Sequence, residues 1–192
     1  MVKIIIVTGI PGTGKTSVCN ELLKLGVQSG KKITVMNFGT IMTSLSRERG
    51  RLLHRDKLRE SNLFFQQDLQ LEAAKTIIQQ TEKMDGDVVI DTHMSIKTPE
   101  GFLAGLPFNI LKILNPTIFV LIEAEVSEVL RRRLKDVTRN RDKVLEKEIA
   151  EELFFSRLMS ASCAVLTNAS VKIVKNPAEK QVEAAKEILK LL

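Results

Sequence analysis

Lys3-Ile4-Ile5-Ile6-Val7-Thr8-Gly9-Ile10-Pro11-Gly12-Thr13-Gly14-Lys15-Thr16-Ser17 is the stretch on which the reading of this chain turns. The run from Ile4 to Val7 is β-branched throughout, the make-up of a strand buried on both faces. It gives way to a segment with three glycines, which let a backbone curl where other residues would clash. Val18, Leu22 and Leu25 then repeat at i, i+4 and i+7, a helical face that Gly30 is placed to end. Strand, glycine loop and helix in immediate succession form the setting in which Gly9 to Thr16, a full match to G-x-x-x-x-G-K-[ST], binds phosphate. Such a loop aims successive backbone N–H groups at one anion, and the positive end of the helix dipole adds to them. Lys15 is then placed for the β and γ phosphates of a nucleotide, and the Thr16 hydroxyl for a magnesium ion. Gly9, Ile10, Pro11, Gly12, Thr13, Gly14, Lys15, Thr16 and Ser17 are accordingly the expected ATP-binding run.

Outward from this stretch, four more short apolar runs alternate with longer segments of helical character: Ile33 to Met36, Val88 to Ile90, Ile118 to Ile122 and Val171 to Val174. That alternation predicts an α/β fold with a five-stranded parallel sheet sandwiched by helices. Leu63 to Lys83, free of proline and glycine, reads as one long helix. Lys143 to Leu166 and Glu179 to Leu192 read as two more. Thr92 to Pro107 holds Pro99, Gly101, Gly105 and Pro107, and reads as a long functional loop. Asp91 ends the third apolar run. A carboxylate at the carboxyl end of a parallel strand borders the ligand crevice and can hold magnesium directly or through water.

Composition narrows the partners. With 192 residues, 44% of them hydrophobic, the chain suits one domain spanning residues 1–192. Its longest aliphatic or aromatic run, Ile118 to Ile122, is far short of the ~20 residues of a membrane span, so no membrane partner is expected. The N-terminus lacks a small-residue cleavage site, and a cytoplasmic location is expected. Cys19 and Cys163 show no metal-site spacing and read as buried, inert thiols. The net charge of +6 is uneven. Arginines cluster at Arg47, Arg49, Arg51, Arg55 and Arg59, and again at Arg131, Arg132, Arg133, Arg139 and Arg141, with Arg157 apart. Two compact clusters suit a clamp on phosphates better than a nucleic-acid track. The aromatics are eight Phe with no Tyr or Trp, which counts against base stacking, and no nucleic acid is expected. No Asn-Lys-x-Asp guanine motif occurs, which disfavours a GTPase.

Further motifs carry a resemblance along the whole chain. They are Asn37-Phe38-Gly39-Thr40, Arg55-Asp56-Lys57-Leu58-Arg59, Asp91-Thr92-His93 with Ile96-Lys97-Thr98-Pro99, Gly105-Leu106-Pro107, and Thr138-Arg139-Asn140-Arg141-Asp142. In combination with the phosphate loop they resemble archaeal-type adenylate kinases, a branch of the P-loop nucleoside monophosphate kinases. The resemblance implies a small helical monophosphate-binding region at about 37–83 and a short lid at about 131–143. It implies magnesium-dependent phosphoryl transfer from ATP to AMP, and a homotrimer. It places Asn37, Phe38, Gly39, Thr40, Arg59 and Lys97 on the AMP side, and makes Arg139 and Arg141 a pair of lid residues that act with Lys15 and Asp91 in catalysis. One of Arg131, Arg132 and Arg133 is expected near ATP, and Arg157 is similar to a family arginine that follows the lid. His93 is read as a loop-ordering group, since an anionic phosphate acceptor needs no base. Two alternatives remain at this stage: a kinase for another monophosphate, and a P-loop ATPase switch acting on RNA or ribosomal particles.

Overall fold

Strand β1 (Ile4–Thr8) is buried along its whole length, as a strand covered on both faces must be. The computed structural model describes residues 2–51, 62–98, 101–135 and 146–192. After β1 come α1 (Lys15–Gln28), β2 (Ile33–Asn37), α2 (Phe38–Glu48), α3 (Leu63–Thr81), β3 (Asp87–Asp91), β4 (Ser95–Thr98) and β5 (Gly101–Ala104). The chain continues through α4 (Phe108–Leu114), β6 (Ile118–Glu123), α5 (Val126–Lys135), α6 (Glu146–Thr167), β7 (Ser170–Lys175) and α7 (Gln181–Leu189). The main sheet has five parallel strands in the order β2-β3-β1-β6-β7. The five expected strands are thus the five observed.

Alternation along the strands builds a core on each face. Ile4, Ile6, Met36, Val88, Ile90 and Phe119 pack with residues of α2, α3, α4 and α6. Ile5, Val7, Val89, Val120, Ile122 and Val174 pack with Val18, Cys19 and Leu22 of α1 and with Ala184, Ala185 and Ile188 of α7. Each fully buried Ile or Val contributes roughly 1.5–3 kcal/mol. Because β3 flanks β1 on one side and β6 on the other, the chain reverses its direction of progress across the sheet at β1. That reversal opens a crevice at the carboxyl end of β1, where open parallel sheets bind ligands.

Two expectations fail. The segment read as a loop from Thr92 to Pro107 contains an antiparallel ribbon, with Ser95 opposite Ala104 and Thr98 opposite Gly101. The ribbon rests on α6 through a stack of Phe102 on Phe155, with ring centroids 4.3 Å apart, and tertiary packing of this kind overrides the local proline and glycine signals. The last helix begins at Gln181 rather than Glu179, because Glu179 adopts a left-handed conformation, φ 59°. The expected stop of α1 holds: Gly30 takes φ 69°, which glycine adopts without strain. Among the described residues no helix is long and apolar enough to cross a membrane. Of the expected lid, Arg131 to Lys135 belong to α5. Arg139 and Arg141 lie outside the described residues, as do Arg55 and Arg59 of the first arginine cluster.

Candidate active site

The loop after β1 turns where the sequence predicts, and each glycine has its reason. At Gly9 (φ 147°) a Cβ would strike the Ile122 carbonyl of β6, and at Gly14 (φ 88°) the Asn176 amide. Gly14 is also the N-cap of α1 and carries no side chain to compete with an anion for the helix N–H groups. Lys15 is buried, and its Nζ donates to Gly9 O at 2.7 Å and, more distantly, to Ile10 O at 3.4 Å. Thr16 and Ser17 are exposed at the first turn of α1. Thr13 is fully buried and its hydroxyl donates to Ile10 O at 2.9 Å, so its side chain closes the loop on itself.

A loop that points its N–H groups at a ligand points its carbonyls the other way, and buried carbonyls need donors. Here every carbonyl from Gly9 to Gly14 has one. Gly9 O lies 3.0 Å from His93 Nδ1 in addition to Lys15. Pro11 O accepts from Arg133 Nε at 2.9 Å. Thr13 O accepts from Arg132 at 3.1 Å and from Asn176 Nδ2 at 2.8 Å, and the same guanidinium approaches Gly12 O at 3.4 Å. Gly14 O accepts the Val18 N–H within α1. Two of the three consecutive arginines therefore hold the loop's backbone, and the third, Arg131, pairs with Glu128 on the surface. Arg131 and Arg132 together hold Glu128 down to about 2. In the α5 half of this cluster, Arg132 and Arg133 hold the phosphate loop itself. Asn176 was missed by the sequence reading, because nothing near it in the chain marks it.

Asp91 is buried at the carboxyl end of β3, in register with Val7 on one side and Asn37 on the other. Its Oδ2 accepts from Asn37 Nδ2 at 2.7 Å. Cys19 lies within the field of both Asp91 and Lys15. Burial, reinforced by Asp91 and opposed by Lys15, pushes its thiol up to about 12; the thiol is inert, as expected. Cys163, likewise buried, is pushed up to about 11. A hydroxyl on the first turn of α1 and a carboxylate at the end of β3 are hard oxygen donors that fit magnesium. That ion keeps most of its waters and needs one or two protein oxygens besides substrate phosphate.

The expected acceptor side is only partly described. Phe38 is 2% exposed and belongs to the core, so its side chain does not face a ligand. Gly39 and Thr40 form the first turn of α2, and Thr40 bonds to Asn37. Lys97, on β4, lies 3.4 Å from Glu148 of α6. Arg157 reaches from α6 to Glu123, the last residue of β6, in a two-pronged pair at 2.5 and 2.6 Å. Lys175, opposite Glu123 on β7, joins at 2.9 Å. Glu123 is 1% exposed. Burial pushes its carboxyl up, but the hydrogen bonds from Arg157 and Lys175 outweigh this and leave it below the ordinary range.

A phosphate loop at the switch point of a parallel sheet, with its lysine inward and a carboxylate on the neighbouring strand, defines a P-loop nucleotide-binding protein. The AAA domain family model matches residues 8–150. Solved shikimate kinases share the fold: that from Acinetobacter baumannii, in complex with shikimate, has a TM-score of 0.61 at 16% identity, covering 100% of this chain and 93% of that one. That from Bacteroides thetaiotaomicron has a TM-score of 0.60 at 13% identity, covering 98% and 97%. Sequence similarity reaches further. The adenylate kinase of Methanocaldococcus jannaschii is 40% identical over 190 residues, 99% of this chain and 98% of that one. Those of Pyrococcus furiosus (38%, covering 98% and 94%) and Thermoplasma acidophilum (40%, covering 97% of each) agree. The chain belongs to the adenylate kinase family.

Proposed function

We propose that the protein transfers the γ-phosphoryl group of ATP to AMP, reversibly, giving two ADP. The bond from the γ phosphorus to the β,γ-bridging oxygen breaks, and one forms to an AMP phosphate oxygen. That acceptor is already anionic, so no side chain has to remove a proton. The observation that carries this reading is the buried Lys15 ammonium, which rests on the Gly9 and Ile10 carbonyls of the phosphate loop. Lys15 neutralises charge on the phosphoryl oxygens, and the loop N–H groups bind the remaining phosphates. Thr16 and Asp91 would hold magnesium, which supplies charge neutralisation at the phosphates. Asn37, Gly39, Thr40, Arg59 and Lys97 are the proposed AMP side, and Arg139 and Arg141 the lid pair that excludes water on closure. His93 and Arg133 keep the loop in shape.

The protein is proposed to be cytoplasmic and to self-associate, as a homotrimer by resemblance. An exposed apolar stripe on α6 supports association. Phe154 (62% exposed), Leu158, Ala161 and Val165 (83% exposed) follow at i, i+4, i+7 and i+11. Val171 and Ile173 continue the apolar surface on the edge strand β7.

The test is a coupled assay of ADP formation from ATP against AMP, CMP, UMP and GMP, with and without magnesium. AMP-dependent turnover that stops on chelation is the expected result. Turnover with another monophosphate in preference to AMP would reassign the acceptor. Hydrolysis without AMP that rises several-fold on addition of single-stranded RNA at ~150 mM salt would replace the kinase with a switch ATPase.

A further inference from the structure

Asn37 ends β2 and Asp91 ends β3, directly opposite one another in parallel register. In-register residues of neighbouring parallel strands project from the same face, and here the pair meets. The Asn37 amide is used at both ends. Its Oδ1 accepts from Thr40 N at 3.0 Å and from Thr40 Oγ1 at 3.1 Å, capping α2. Its Nδ2 donates to Asp91 Oδ2 at 2.7 Å. Asparagine is suited to both tasks at once. Aspartate caps equally well but offers no donor, and serine caps but is too short to span to the next strand.

From this geometry we infer that Asn37 is a positioning residue, which ties the first turn of α2 to the carboxylate beside the phosphate loop, rather than a direct AMP contact. The inference rests on the proposed phosphoryl transfer and deepens it. α2 leads into the region, about 37–83, assigned to the acceptor. The neighbouring Phe38 is locked in the core, so the helix start is held from below by packing and from the side by the amide. A reaction that depends on in-line approach of two bound phosphates is sensitive to small displacements of either half. The tie sets one half against the other.

The experiment measures AMP binding by isothermal titration without ATP or magnesium, so that no turnover contributes, with steady-state kinetics alongside. Asn37→Asp keeps the cap and sets a carboxylate against a carboxylate; AMP affinity is expected to fall at least tenfold. The exchanged pair, Asn37→Asp with Asp91→Asn, restores one donor facing one acceptor with the cap intact. Its AMP affinity is expected to return to within threefold of wild type while kcat stays low, because the carboxylate at 91 is gone. A direct contact between Asn37 and AMP predicts no recovery in the exchanged pair, and that result overturns the inference, as does wild-type affinity in Asn37→Asp alone. If Asn37→Asp does not fold, the exchanged pair alone carries the comparison, and a tenfold loss of AMP affinity there overturns the tie; Asn37→Ser then tests only whether the effect is confined to the acceptor side. Expected there is a threefold to tenfold loss of AMP affinity with ATP-analogue binding unchanged, and equal losses for both nucleotides would overturn the tie. A wild-type chain that binds no AMP would overturn the acceptor assignment itself and this inference with it, a failure visible before any variant is made.

Discussion

Replacing Arg133, a buried charged residue of α5, by methionine should destabilise the fold. The side chain is only 5% exposed, its NH1 and NH2 donate to Glu152 at 2.9 and 2.7 Å, and its Nε donates to Pro11 O at 2.9 Å. Glu152 is itself 13% exposed. Removing one member of a buried ion pair leaves the other charged and unpaired, a loss of about 3–5 kcal/mol. The orphaned Pro11 carbonyl overlaps with this and accounts for about 1–3 kcal/mol of its own. Urea unfolding of Arg133→Met should therefore show a loss of about 3–5 kcal/mol. Glu152→Met alone should cost about as much, because it strands the guanidinium. The double variant should regain most of the loss, since replacing a buried pair by apolar side chains is close to neutral, and should retain only the ~1–3 kcal/mol of the carbonyl. ATP affinity should remain impaired in the double variant even as stability returns, because the loop still lacks its donor at Pro11. A loss under ~1 kcal/mol in Arg133→Met, or a double variant as unstable as the sum of the singles, would refute the account of α5 as the support of the phosphate loop.

Arg59→Ala should weaken AMP use by about 1.5–3 kcal/mol, the worth of one charge-assisted hydrogen bond, with the ATP KM unchanged; the reverse pattern would exchange the two sites. The carboxyl of Glu123 is depressed in the folded state, so its contribution is present above the unfolded value of 4.5 and is lost as pH falls through the lower folded value. Chemical denaturation should accordingly show wild-type stability declining below about pH 4.5, with a flatter profile in Glu123→Gln. Parallel profiles would show that Arg157 and Lys175 do not stabilise the charged form. Phe154→Glu, at a position 62% exposed, should shift the mass measured by light scattering from oligomer to monomer without altering the melting temperature of the monomer, and an unchanged mass would exclude the α6 stripe as the subunit contact.

The phosphate loop was legible because its information is local: strand, glycines and helix follow one another within a few turns of chain. The strand set was legible for the same reason, each run being apolar and short. Partners far apart in sequence were not. Arg132 meets Thr13 across a separation of 119 residues, and Asn176 meets it across 163. No periodicity marks either one. The ribbon of β4 and β5 was hidden for a different reason. Four-residue strands carry too little alternation to outweigh nearby proline and glycine, and the Phe102–Phe155 stack that secures them joins two distant segments. The Asn37 motif points to the AMP side but is silent on its bonds to Asp91 and Thr40, since a motif names the position and not the atom at which a side chain acts.

Some of the missing part could nevertheless have been asked for. A loop that gives its N–H groups to a ligand leaves a matching set of carbonyls to be satisfied by the protein, and a glycine-rich loop has few side chains of its own to do so. Thr13 and Lys15 serve Gly9 and Ile10 from within. Pro11, Gly12 and Thr13 then require long donors from elsewhere, and arginine is the side chain that brings several in a fixed fork. Three consecutive arginines on one short helix cannot all face a nucleotide, because successive helix positions diverge by about 100°. At least one had to face the protein, and the loop's carbonyls were the acceptors in need. The same count explains why Arg132 and Arg133 are each anchored by a glutamate, Glu128 and Glu152. A carboxylate at the other edge of each guanidinium fixes the fork in place on the loop carbonyls.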